Sequence, residues 1–122
     1  MAGERLTFKQ MCARFDTTPR TLRYYEYIEL LSPEKEGRSR FYTARDIARM
    51  TLILRGRRFG FSLEEIRQWL DLYEEKGTRV QMEDLIRHVD RQLKALRQQQ
   101  TDLAESIVDL QKLRDDVARD LE

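Results

Sequence analysis

Arginines, tyrosines and threonines alternate with apolar residues in the segment TTPRTLRYYEYIELL, which runs from Thr17 to Leu31. The planar guanidinium group of arginine matches both phosphate oxygens and the pair of acceptors on a guanine edge. Tyrosine offers a flat apolar ring and a hydroxyl for a phosphate oxygen. Thr18 and Pro19 are typical of a helix N-terminus, where free backbone N–H groups attract anions. This chemistry predicts recognition of a polyanion such as double-stranded DNA.

A helix that starts at Thr18 would carry its long polar side chains on the first two turns. The candidate DNA contacts on those turns are Arg20, Thr21, Arg23 and Tyr24, with Thr18 contributing the helix N-terminus. Leu22, together with Tyr25 or Ile28, would pack on the protein side. Two plainer interpretations stay open, because Arg23 could pair with Glu26 and the tyrosines could be core residues.

The segment that follows predicts a small β-ribbon. Pro33 blocks continuation of the helix, and Gly37 supplies a tight turn within SPEKEGRSRFYT. A two-stranded ribbon over residues 34–42 would place Arg38 and Arg40 near its tip. Two short helices followed by such a ribbon have the outline of a winged helix-turn-helix.

Helix starts elsewhere in the first 78 residues share one pattern, a Ser or Thr followed three residues later by Gln, Asp or Glu. The pairs are Thr7 with Gln10, Thr43 with Asp46, and Ser62 with Glu65. Gly60 and Gly77 stand where helix C-termini need them. The pattern predicts a head made of four short helices and the ribbon, so the fold class is mainly α.

From Met82 onward, apolar residues repeat every seven positions in two series, separated by steps of four and three. The seam residues predicted to hold a dimer are Ile86, Val89, Leu93, Leu96, Gln100, Leu103, Ile107 and Leu110. A helix from Met82 to Leu121 would span roughly 60 Å and could not bury this seam alone, so a second copy is the simplest partner. In an antiparallel pair, Gln100 near the midpoint would lie beside its symmetry mate. The alternative is an offset pair with Gln100 tolerated at a wet edge.

Charge is distributed unevenly along the chain. The formal net charge is only +1, yet residues 5–58 carry 13 Lys and Arg against 6 Asp and Glu. A basic module of this kind is typical of proteins that bind a polyanion, although a merely solvated surface is the plainer alternative.

Several classes of protein are excluded by the composition. No apolar run is long enough to span a membrane, and the N-terminus lacks the apolar core of a signal peptide. Cys12 is the single cysteine, which excludes an internal disulfide and favours a reducing cytoplasm. His88 is the single histidine and falls in the coiled coil, so no catalytic constellation is expected. We therefore expect neither enzyme activity nor a cofactor.

Three motifs resemble the MerR family of bacterial transcription regulators in residue type, order and spacing. They are TLRYYEYIELLSP, GRSRFYTARDIARM and RRFGFSLEEIRQWLDL. The resemblance implies a DNA-binding domain over residues 5–76, and the long helix over residues 79–122 matches the dimerisation helix of the family. By matching position, the candidates on the recognition helix are Arg23, Tyr24 and Tyr25, and those on the wing are Arg40 and Tyr42.

The resemblance also implies partners. Family members are homodimers whose long helices pair antiparallel, and they distort palindromic promoter sites for RNA polymerase. Metal-sensing members carry cysteines that flank the end of the long helix, and residues 79–122 contain none, so we expect no metal. A weaker resemblance, carried by MTLILRGRRFGFSLEEIRQWLDLYE, points to the branch that controls branched-chain amino-acid and fatty-acid catabolism, with an acyl-CoA-type effector. The alternative function is a helical adaptor that dimerises through a coiled coil and does not bind DNA.

Overall fold

The computed structural model describes residues 4–75 and 77–122. The chain divides into two compact units, with the division between Gly77 and Thr78. The first unit contains, in order, β1 (Leu6–Thr7), α1 (Phe8–Arg14), α2 (Pro19–Tyr27), β2 (Glu34–Glu36), β3 (Ser39–Tyr42), α3 (Ala44–Phe59) and α4 (Leu63–Glu74). The second unit is one helix, α5 (Arg79–Asp120). The predicted mainly α fold, with a helix-turn-helix, a wing and a long C-terminal helix, is confirmed.

Local side-chain hydrogen bonds fix most of the helix starts. Thr7 accepts a hydrogen bond from the backbone N–H of Gln10 at 3.2 Å, and the side chain of Gln10 accepts one from Thr7 at 2.9 Å. Ser62 and Glu65 form the same reciprocal box at the start of α4. Thr18 accepts from the backbone N–H of Thr21 at 3.1 Å, directly before Pro19. Each box satisfies donors that a helix N-terminus otherwise leaves free.

Two details of the predicted helix boundaries are wrong, although Thr43 does precede α3 as predicted. Thr43 makes no side-chain capping bond, and the carboxylate of Asp46 turns into the core instead and accepts a hydrogen bond from the backbone N–H of Ser32 at 3.1 Å. Gly60 ends α3 in the left-handed conformation, as predicted, with φ of 91°. Gly77 has no such role, since α4 ends at Glu74 and Glu75 caps it in an extended conformation.

The wing is a ribbon of β2 and β3, which pair antiparallel around a turn at Gly37, where φ is 61°. The sheet has a third strand that the sequence did not indicate. β1 pairs with β3, so that Leu6 lies opposite Tyr42, and the strand order is β1-β3-β2. Two residues are too few to show the alternation that identifies a strand. The pairing attaches the wing to the residues that lead directly into α1.

The core of the first unit gathers buried side chains from all four of its helices and from β3. The fully buried apolar residues are Met11, Leu22, Leu30, Tyr42, Met50, Ile53, Ile66 and Leu70. Helices α3 and α4 approach closely at Gly56, where an added Cβ atom would lie 2.7 Å from Cγ1 of Ile66. This packing holds the back of α2 through Leu22.

Arg49 is buried and joins three parts of the first unit. Its Nε donates to the backbone carbonyl of Leu30 at 2.7 Å, and its Nη1 contacts Glu74 at 2.8 Å. Glu74 also accepts a hydrogen bond from Arg45 at 2.9 Å. The segment after α2 is therefore tied to α3 and to the last turn of α4 by one charged network.

Helix α5 has no buried residue along its length. It begins with a capping box between Thr78 and Gln81, whose three-residue spacing is readable in the sequence but is absent from our sequence-based prediction. The apolar seam residues are all exposed, namely Ile86, Val89, Leu93, Leu96, Leu103, Ile107 and Leu110. Exposed apolar residues in a continuous heptad pattern indicate a surface that needs a partner.

We expect Glu74→Gln to lower the stability of the first unit at neutral pH by about 3 kcal/mol, because it removes the carboxylate that is paired with Nη1 of the buried Arg49. Burial alone would raise the pKa of Glu74, but hydrogen bonds from Arg49 and Arg45 hold it below its ordinary value of 4.5. The stabilisation from a lowered carboxyl pKa is present above the ordinary pKa and is lost as the pH falls through the lowered one. The stability difference between the two proteins should therefore narrow in acid.

Urea unfolding at a fixed protein concentration, repeated across acidic and neutral pH, measures this difference. Glu75→Gln is the matched control, because it removes the same charge from the exposed neighbouring residue. A gap between Glu74→Gln and the wild type that does not change with pH would contradict the charge-based explanation.

Candidate nucleic-acid interface

The outward face of α2 presents the residues that the sequence singled out. Arg20 and Arg23 are exposed, and Tyr24 is 50% exposed. Thr18 and Thr21 lie at the helix start, where the hydroxyl of Thr18 donates to that of Thr21 at 2.9 Å. The hydroxyl proton of Thr21 is thus left available for an external acceptor. Pro19 and the cap set the direction of the helix, and the burial of Leu22 sets its rotation.

An open groove runs beside α2 and joins it to the C-terminal part of α3. Its lining is Arg20, Thr21, Arg23, Tyr24, Tyr25, Tyr27, Arg57 and Leu63. The lining combines three guanidinium groups with aromatic rings and contains neither Asp nor Glu. Such a surface can take phosphate oxygens on its cations while its planar groups reach base edges.

The two predicted wing arginines have different environments. Arg38 lies exposed in the turn between β2 and β3. Arg40 lies on β3 with a side chain that is 36% exposed, and its Nη1 is 3.5 Å from Oε2 of Glu26. The guanidinium group of Arg40 also lies 5.4 Å from the centre of the Phe8 ring. Arg38 is therefore a free cation at the tip, whereas Arg40 is held against α1 and α2.

Burial corrects two of the candidate DNA contacts. Tyr42 is fully buried, because it faces inward on β3 opposite Leu6, and its ring cannot meet a duplex. Tyr25 is 6% exposed and forms part of the groove floor, so it supports the surface as a core residue. Burial, followed by the nearby carboxylate of Glu26, raises the pKa of Tyr42, which keeps this hydroxyl protonated.

Three residues at this surface were missed at the sequence level. Tyr27 is 83% exposed at the end of α2, and Arg57 enters the groove from α3. Glu26 of α2 pairs with Arg40 of β3, whereas the sequence suggested Arg23 as its neighbour. The pair of arginines in RGRRFG could have indicated Arg57, but nothing local indicates a contact between positions 26 and 40.

The side chains of the single cysteine and the single histidine, Cys12 and His88, interact with other parts of the protein. Burial raises the pKa of the Cys12 thiol, against a smaller opposing effect of Arg23, which is typical of a structural cysteine. The Nδ1 atom of His88 lies 2.9 Å from the backbone carbonyl oxygen of Asp84, one helical turn earlier. Within residues 4–75 and 77–122, no three His, Cys, Asp or Glu residues are grouped so that they could hold a metal ion. Over the same residues, no helix is both long and apolar enough to cross a membrane.

Two family models match this chain, each over more than half of it. The model described as "MerR HTH family regulatory protein" matches residues 6–73, and the one described as "MerR, DNA binding" matches residues 47–116. Together they cover the head and most of α5.

Curated relatives match the head of this chain. The HTH-type transcriptional regulator HmrR of Rhizobium leguminosarum bv. viciae is 48% identical over 58 residues, which cover 47% of this chain and 45% of that protein. The HTH-type transcriptional regulator ZntR of Escherichia coli K12 is 42% identical over 59 residues, covering 47% of this chain and 42% of that protein. The matched segment thus spans less than half the length of these relatives, which are transcriptional regulators rather than enzymes.

Solved structures share the fold. The crystal structure of a MerR family transcriptional regulator from Bacillus cereus has a TM-score of 0.68 and 28% identity, covering 85% of this chain and 75% of that one. HiNmlR, described as a MerR family regulator lacking the sensor domain and bound to promoter DNA, has a TM-score of 0.67. Its identity of 20%, over 85% of this chain and 79% of that one, supports similarity of fold alone. With both family models matching more than half of its length, the chain belongs to the MerR family of helix-turn-helix regulators.

Proposed function

We propose that this protein is a homodimeric transcription regulator that binds a palindromic promoter site in double-stranded DNA. Helix α2 enters the major groove, with Arg20, Thr21, Arg23 and Tyr24 as its contacts. Thr18 offers the helix N-terminus to a phosphate, and Arg38 and Arg40 of the wing neutralise the backbone.

The observation that carries this proposal is the groove beside α2, where Arg20, Arg23 and Arg57 converge among exposed tyrosines. A cluster of like charges destabilises a protein by itself, so an anionic partner is its simplest explanation. Tyr24 and Tyr27 would be poorly placed as core residues, since half or more of each side chain is exposed. A helical adaptor without a DNA partner has no reason to concentrate these groups on one helix.

The dimer is supported by the exposed heptad seam of α5. An antiparallel pair would bury the seam from Ile86 to Leu110 against its own copy and place Gln100, at the middle of the helix, beside its mate. Two copies related by a two-fold axis carry two recognition helices, which explains a palindromic site.

Further partners are proposed on the basis of the family resemblance. RNA polymerase at the promoter, with distortion of the DNA between its elements, is the proposed route to regulation, and the bacterial cytoplasm is the proposed location. An acyl-CoA-type effector stays a proposal that rests on the sequence resemblance alone.

Replacement of Arg23 by alanine is expected to weaken specific binding by about 1–3 kcal/mol, or roughly 5- to 150-fold in Kd, since a bidentate contact to a base edge has that value. The DNA probe is the duplex that the wild-type protein enriches from a random-sequence library. Fluorescence anisotropy then compares this duplex with a scrambled duplex of the same composition. Recovery of two inverted half-sites in the enriched sequence supports the homodimer.

The matched control is Arg91→Ala, which removes the same charge from an exposed position of α5 that lies opposite the seam in the heptad pattern. Its affinity for the selected duplex should stay close to that of the wild type. Equal losses for the two variants would contradict a role for α2 in recognition, and failure of the wild type to enrich any sequence would contradict the proposed function.

Replacement of Gln100 by cysteine is expected to give an inter-chain disulfide under mild oxidation, because the two side chains meet at the centre of an antiparallel pair. Arg114 continues the seven-residue series of Gln100 and Ile107 toward the end of α5, so Arg114→Cys should not cross-link to its own copy in an antiparallel pair. Both variants are made on a Cys12→Ser background, so that each chain has a single thiol. Non-reducing gel electrophoresis measures the covalent dimer.

A parallel pair would place every seam residue opposite itself, so both variants would cross-link. Efficient cross-linking of Arg114→Cys, or none at Gln100→Cys, would therefore remove the antiparallel arrangement. Either result would leave the proposed binding of α2 to DNA unaffected.

A further inference from the structure

Glu26 is an acidic residue on a helix whose exposed face is otherwise basic. Its side chain is 13% exposed, and its Oε2 atom is fully buried 3.5 Å from Nη1 of Arg40. A carboxylate this close to a DNA-binding surface repels phosphate. Its neighbours on the protein side are Arg40 and the hydroxyl of buried Tyr42, so what Glu26 does for Arg40 decides whether it helps or hinders binding.

Arg40 and Arg23 share one aromatic ring. The Cζ atom of Arg23 lies 5.3 Å from the centre of the Phe8 ring, and that of Arg40 lies 5.4 Å from the same point. The two guanidinium groups come from α2 and from β3, and Phe8 is the first residue of α1. The Cζ atoms of the two arginines can therefore be no farther apart than the sum of these two distances. A ring that contacts two cations attracts both of them and limits where each can lie.

The guanidinium groups of Arg23 and Arg40 repel each other. Glu26 supplies a compensating negative charge only on the side of this pair that faces the protein interior. Arg40 keeps about a third of its side chain exposed, and Arg23 is exposed as well. On the open side, the pair is arranged to receive a second anion. Buried Tyr42 lies next to Glu26 and, as a protonated phenol, adds no competing charge.

We infer that Glu26 is a positioning residue for DNA binding, which holds Arg40 of the wing beside Arg23 over Phe8 so that Arg40 meets a backbone phosphate next to the base edge that Arg23 contacts. This inference rests on the proposed function and specifies how the wing and the recognition helix act together. Arg40 then reaches DNA already restricted to one orientation, which avoids the entropy loss of ordering a free arginine on binding.

The sign of the Glu26→Gln effect separates positioning from simple electrostatics. Removal of a negative charge near phosphate should tighten DNA binding if the carboxylate is only a charge at the surface. Positioning predicts the opposite, a loss of roughly 3- to 10-fold in affinity, comparable to the cost of immobilising one flexible side chain.

The experiment is a double-variant cycle with Glu26→Gln, Arg40→Gln and the two combined. The probe is again the duplex selected by the wild-type protein, and Kd is measured across a series of chloride concentrations. Arg40→Gln should weaken binding and reduce the salt slope by about 0.9, the value for one phosphate contact. Once Arg40 is absent, Glu26→Gln should cause no further loss.

Glu29→Gln is the matched control, because it removes the same charge from an exposed residue three positions farther along the chain. Its affinity should be unchanged or slightly higher. Circular dichroism and sedimentation confirm that each variant is folded and dimeric. Should Glu26→Gln fail to fold, Phe8→Leu removes the shared ring while keeping an apolar side chain, and it should weaken binding to a similar extent.

Unchanged or tighter binding by folded Glu26→Gln overturns the inference, as do independent losses from Glu26→Gln and Arg40→Gln that simply add. Unchanged affinity of Phe8→Leu does the same. Each of these results requires that the wild-type protein binds the duplex. They can therefore be distinguished from failure of the proposed function, in which the wild-type protein would select no sequence.

Discussion

The backbone just after the recognition helix is the constraint on which the DNA-binding surface depends. Three side chains from α3 and α4 hold it. Arg49 donates to the carbonyl of Leu30 at 2.7 Å, Asp46 accepts from the N–H of Ser32 at 3.1 Å, and Arg67 donates to the carbonyl of Ile28. An isolated helix as short as α2 would be unstable in water, so its direction comes from these ties and from its packing. The arginines on its outer face take their positions from bonds made on its inner side.

Charge on this protein is arranged in two layers. The inner layer pairs opposite charges, with Glu74 between Arg45 and Arg49 and with Glu26 beside Arg40. The outer layer is cationic and exposed, with Arg20 and Arg23 on α2 and Arg38 on the wing. The Arg49–Glu74 and Arg40–Glu26 pairs are partly buried and are therefore poorly screened by salt, whereas outer charges are screened strongly. Ionic strength should therefore regulate DNA binding without unfolding the head.

Local features of the fold could be predicted from the sequence, and long-range contacts could not. The caps at Thr7, Thr18 and Ser62 depend on residues three positions apart, and the seam of α5 depends on a repeat of seven. The resemblance to the family placed Tyr42 on the DNA face. Its burial could not be predicted, because it depends on the pairing with Leu6, a contact between residues 36 positions apart. Asp46 was predicted as a capping partner of Thr43 from its spacing alone. Its role as the acceptor for Ser32 is visible only once α3 packs on the chain after α2.

In the dimer that we propose, the two units of the chain are linked energetically, although the seam of α5 contacts no DNA. One recognition helix offers a few base contacts of about 1–3 kcal/mol each, too little to select a single site in a genome. When two heads belong to one dimer, the second binds at a high effective concentration, so affinity for a palindrome rises far beyond that of either head. A polar residue such as Gln100 within the seam lowers the stability of the pair while fixing its alignment. The protein concentration at which the promoter becomes occupied then depends on the stability of the α5 pair as well as on the base contact of Arg23.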